Sequence, residues 1–192
     1  MKRLLPFAVG TSICALALST GMGAESLPPG QVDFGKFSPP GQGGEFVEVN
    51  LTSSLIGLAA KFLEKDEPEV ARVLSGLQLV HVTVIGLNDE NRDDLGKRTQ
   101  KIRKELDNKG WERIVTAQQD DQDVGVYLKT HGKDAVQGVV VTVMEGKKQA
   151  VFVNVVGDIK PEQLSMLGEK LHIDPLKKAA RATEKPEEEK QN

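Results

Sequence analysis

The chain has 192 residues, with 25 basic and 28 acidic side chains, three histidines and one cysteine, for a formal charge of −3. That balance argues against a basic face for nucleic-acid phosphates. A single thiol excludes a disulfide framework and a cysteine-built metal site.

Met1-Lys2-Arg3 precedes an apolar run from Leu4 to Leu18 and the small-residue stretch Ser19-Thr20-Gly21-Met22-Gly23-Ala24. A basic start, an apolar core and small residues before the polar Glu25 are the three parts of a secretory signal, so residues 1–24 are expected to be removed on export. The run is interrupted by Pro6 and Gly10 and is short for a membrane span, and no later stretch is long enough for one. Cys14 has Ile13 and Thr11 before it, an unsuitable frame for lipidation, and it would leave with the signal. The remaining 23 basic and 28 acidic residues give −5.

Residues 25–44 repeat Pro-Pro-Gly-Gln at 28–31 and 39–42 and read as a Pro/Gly-rich linker. Val32, Phe34 and Phe37 are its residues able to dock. A single α+β domain is expected over 45–177, and a charged, disordered tail over 178–192. Residues 45–51 alternate as a strand. Leu55, Leu58, Ala59, Phe62 and Leu63 then recur at helical spacing, and a second helix opens at Pro68 with Val70, Val73, Leu74 and Leu77 as its stripe. Residues 79–85 are rich in β-branched side chains and read as a central strand. A longer helix spans 91–109, with a thin apolar edge of Leu95, Ile102 and Leu106.

Strands at 111–117, 124–130, 138–144 and 150–156 follow, separated by polar turns in the manner of an antiparallel meander. A last helix begins near Pro161 with Leu164, Leu167 and Leu171. The order β-α-α-β-α-β-β-β-β-α predicts one antiparallel sheet of five to six strands, with the helices packed on one face.

Chemistry-bearing groups are sparse. His81, His131 and His172 have no second ligand at metal spacing on the same element, so no metal, cofactor or catalytic set is expected. Asp120, Asp121 and Asp123 resemble half of a calcium loop, without its glycine and later glutamate, and read as a solvated turn. Lys97, Arg98, Lys101, Arg103 and Lys104 form a basic run balanced by neighbouring acids. In Val153–Leu164, the amide of Asn154 interrupts an apolar strand, Gly157 permits a sharp exit, and Asp158 can cap the following helix. Asn154, Gly157 and Asp158 are therefore the candidate ligand- or partner-binding residues, although Asn154 would serve equally to tie down a neighbouring loop.

That stretch, together with Gly110–Ile114, Val126–Lys129, Gly138–Val141 and Gly168–Leu171, resembles the bacterial family described as domain of unknown function 4252, over about Val32 to Leu176. The resemblance implies an exported protein of unassigned activity and supplies no catalytic residues. The expectation is a periplasmic or other envelope protein acting as a non-enzymatic binding module on an unidentified envelope protein or ligand. The alternative is a hydrolytic or metal-assisted enzyme using Asp120, Asp121 and Asp123.

Overall fold

Valine, isoleucine and threonine crowd three stretches of the chain, and there the backbone is extended and paired. The computed structural model describes residues 27–41, 44–119, 121–132, 135–160 and 163. In chain order the elements are β1 (Phe46–Thr52), α1 (Ser53–Leu63), α2 (Pro68–Ser75), β2 (Leu77–Gly86), α3 (Arg92–Asn108), β3 (Glu112–Gln119), β4 (Gln122–His131), β5 (Ala135–Glu145) and β6 (Gln149–Ile159). This is the expected order up to the last helix. Residues beyond 163 lie outside the described part. Gln163 donates its N–H to the Lys160 carbonyl at 2.9 Å and accepts the Lys160 N–H on Oε1 at 2.9 Å, the reciprocal pair of bonds found in a capping box.

The six strands form one antiparallel sheet in the order β1-β2-β6-β5-β4-β3. β3 to β6 are the expected meander, and β6 closes it against β2, so β1 and β3 are the edges. Asp123, expected in a turn, belongs to β4, because the β3–β4 connection is tight.

The helices divide between the two faces, rather than sharing one as expected. Val139, Val140 and Val141 are consecutive and fully buried, so β5 turns apolar side chains to both sides of the sheet. A sheet apolar on both faces needs a cover on each. Ile56 of α1 and Val73 of α2 pack with Val80, Val126, Val141, Val153 and Val155 on one side. Leu95, Ile102 and Leu106 of α3 pack with Tyr127, Val140 and Phe152 on the other.

The rest of the second face is covered by residues 27–41, so this part of the stretch read as a linker belongs to the folded unit. Phe34 is 3% exposed. Phe37 stacks on Phe152 with centroids 4.8 Å apart, and the Arg98 guanidinium lies 3.9 Å over the Phe37 ring. Arg98 Nε and Nη2 donate to the Phe34 carbonyl at 3.0 and 2.6 Å, and Nη1 donates to the Lys36 carbonyl at 2.8 Å. Burial lowers the Arg98 pKa, and the charge of Asp33 partly opposes this. Gly30 has φ +86°, and a side chain there would overlap the Gln137 carbonyl, so glycine is required for this strap to lie flat.

Candidate functional site

Asn154 is wholly buried, and all its side-chain hydrogen bonds are internal. Oδ1 accepts the Val32 N–H at 2.9 Å, while Nδ2 donates to the carbonyls of Gly30 at 3.0 Å and Val139 at 3.2 Å. One donor on one side and two acceptors on the other fix the orientation of the amide. It clamps the strap to β5 and β6, the loop-tying role.

Gly157 is buried where β6 crosses the start of β2, and a Cβ there would overlap the Gly76 carbonyl. The Asp158 N–H is donated to that same carbonyl at 2.9 Å and so faces no anion. Gly157 and the exposed Asp158 line an open groove of about 400 Å³ with Pro29, Gln78, His131 and Gln137. Asn154 is not part of its lining.

The acidic turn divides. Asp120 lies outside the described residues, and Asp121 is exposed. Asp123 accepts from Arg103 Nη1 on both carboxylate oxygens at 2.8 Å, and Arg103 Nε donates to Thr142 Oγ1 at 3.0 Å. The basic run thus sends Arg98 to the strap and Arg103 to the sheet. Glu145, at the end of β5, is held below the usual carboxylate range by a hydrogen bond from Lys148.

Asp121 and Asp123 line a polar groove of about 630 Å³ with Arg92, Lys97, Gln100 and Gln118. Among the described residues, no three His, Cys, Asp or Glu side chains gather as metal ligands. We expect Asp121→Ala to change stability by less than about 0.5 kcal/mol. Asp123→Ala should cost about 1–2 kcal/mol, since it strands a largely buried guanidinium but the carboxylate itself is one-third exposed. Urea titration of the two variants checks this.

The surface the sequence did not single out is the β1–α1 unit. Of α1, Ile56 and Ala60 face the core. Leu55, Leu58 and Phe62, the stripe that periodicity picks out, are 52%, 52% and 75% exposed. A Cβ built on Gly57 would meet nothing within 4 Å. On β1, Val47, Val49 and Leu51 point to the same side of the sheet as α1 and are also exposed. Residues 46–63 hold only two charges, Glu48 and Lys61. Glu48 lies on the other side of β1, 3.4 Å from His81 Nε2. Single exposed apolar residues are ordinary, but six of them on an edge strand and the helix directly after it are the mark of an interaction surface.

Neither the curated proteins nor the solved structures include a match to this chain. A family model described as "Domain of unknown function (DUF4252)" matches residues 42–167, a span running from just before β1 to beyond β6. The chain belongs to the DUF4252 family.

Proposed function

We propose that this chain is an exported, non-enzymatic binding module of the cell envelope, and that its working surface is the apolar face of β1 and α1. The observation that carries the reading is the exposure of Val47, Val49 and Leu51 on the edge strand β1 and of Leu55, Leu58 and Phe62 on the helix that follows it. Exposing that much apolar surface costs solubility and yields no stability to the isolated domain, so its use lies in association. Export rests on the basic, apolar and small-residue order of residues 1–24. The enzymatic alternative loses support from Asp123, whose carboxylate is taken up by Arg103.

The test is retention of envelope proteins by the immobilised chain and by a Val49→Lys/Phe62→Glu variant. Both replaced side chains are exposed, so the melting temperature should move by no more than about 2 °C. Loss of at least one retained protein is expected. An unchanged retained set would overturn the reading.

A further inference from the structure

We infer that the partner of this surface is a second copy of the chain, joined edge to edge through β1 in an antiparallel, two-fold pairing centred on Val49. The inference rests on the β1–α1 reading above and names its partner.

The backbone register supports it. The Gly86 N–H bonds to the Glu45 carbonyl, and the β1–β2 pairing continues from there as Phe46 opposite Ile85. In an antiparallel ladder, residues alternate between bonding the neighbour and pointing away. Glu45, Val47, Val49 and Leu51 therefore bond inward to β2. Phe46, Glu48, Asn50 and Thr52 turn their N–H and C=O groups outward, where the open edge offers them to another strand.

A two-fold axis through Val49 uses all seven residues of β1. It sets Phe46 opposite Thr52 of the second copy, Val47 opposite Leu51, Glu48 opposite Asn50, and Val49 opposite its own counterpart. Every outward-pointing residue then meets an outward-pointing one, as the ladder requires. The apolar side chains fall together on the α1 side. Glu48, the single charge of the strand, meets an amide that can donate to it rather than a second carboxylate. Moving the axis to Glu48 would oppose two carboxylates and leave an unpaired overhang, so the sequence itself selects Val49. The edge also lacks the usual guards against pairing: β1 contains no lysine, proline or bulge.

Because the axis stands perpendicular to the sheet, both copies keep α1 on one side of a continuous sheet. The Leu55, Leu58 and Phe62 stripes then lie on the same side of the joint as the Val47, Val49 and Leu51 side chains. A two-fold joint of this kind closes on itself and does not propagate into fibres.

The experiment uses the full chain, carried by its own leader and with Cys14→Ser to remove the native thiol. Paired Val49 positions would be non-hydrogen-bonded neighbours with Cα atoms about 4.5 Å apart, within disulfide reach. Val49→Cys should therefore give a covalent dimer on mild oxidation. Val47→Cys should give none alone but a dimer when combined with Leu51→Cys. In sedimentation velocity the unsubstituted chain should run as a dimer and Val49→Lys as a monomer.

A monomer at every concentration, with no Val49→Cys dimer, overturns the inference. So does ready crosslinking of Val47→Cys alone, which means another register. Crosslinking of Val49→Cys only after removal of residues 164–192 overturns it as well, because the chain's own leucine-bearing C-terminal segment would then occupy the edge. If the dimer is absent but Val49→Lys/Phe62→Glu still loses an envelope protein, the surface stands with a different partner. If both fail, the surface reading fails with the dimer.

Discussion

Val140→Asp and Val153→Asp are each expected to abolish the cooperative thermal transition and leave no soluble folded protein. Val140 is 0% exposed and packs with Phe152 and Tyr127 on the α3 side. Val153 is 1% exposed and packs with Val126, Val141 and Val155 on the α1–α2 side. The flanking partners of Val140 in the sheet are Tyr127 and Asn154. Neither is a cation that could pair with a new carboxylate, and the Asn154 amide is already committed to the strap. An unpaired carboxyl group at either site costs several kcal/mol, whether it stays charged or takes up a proton.

A domain's whole stability is about 5–15 kcal/mol, so either substitution consumes most of it. Val140→Thr is the control: nearly isosteric, with one buried hydroxyl, it should cost about 1–3 kcal/mol and lower the melting temperature without preventing folding. Circular dichroism melts of the set decide the matter. A normal transition in Val153→Asp would mean that the α1–α2 face is not a core.

Asn154→Ala should lower the melting temperature by about 10 °C, equivalent to a loss of about 3 kcal/mol in a domain of this size. The substitution strands the Val32 N–H and the Gly30 carbonyl, and it takes from the Val139 carbonyl a second bond beside the ladder bond that carbonyl accepts from Val155. Each stranded buried group costs about 1–3 kcal/mol unless water reaches it. The strap can relieve part of this cost by lifting off, but that exposes Phe34 and the Phe37 face of Phe152.

Asn154→Asp is expected to be worse than alanine despite its near-identical shape. It keeps an acceptor for Val32 but turns an acceptor, charged or not, towards at least one of the carbonyls of Gly30 and Val139. Hydrogen exchange at the Val32 amide, together with the melt, separates strap release from global loss. An unchanged melting temperature with protected Val32 would remove the clamp from the account.

Much of the architecture was legible in the sequence. Strand-like runs separated by polar turns gave the meander of β3 to β6, and the thin stripe of Leu95, Ile102 and Leu106 gave the buried edge of α3, because both signals are local in the chain. The quoted strand and loop motifs were enough for the family. Local spacing shows Arg98 and Arg103 only as members of a basic run balanced by neighbouring acids. Their hydrogen-bond partners lie 64 and 62 residues away for Arg98, and 39 and 20 for Arg103, and nothing in local spacing points to them.

Residues 28–41 show the limit most clearly. Proline and glycine composition predicts a chain with too little apolar surface to order itself, and that holds for the segment alone. In the structure it is ordered by what it lands on: Phe152, the Arg98 guanidinium, and an amide 122 residues further along the chain. The same limit governs α1. Periodicity shows that Leu55, Leu58 and Phe62 share a helix face, but only the placement of Ile56 and Ala60 against β1, β2 and α2 decides that this face looks outward. The sequence by itself determined which residues lie on a common face of each element, through the fixed periods of helix and strand. Which of those faces are buried, and what Asn154 holds, was decided by tertiary packing, because burial depends on a second element brought close by the fold and not on spacing along the chain.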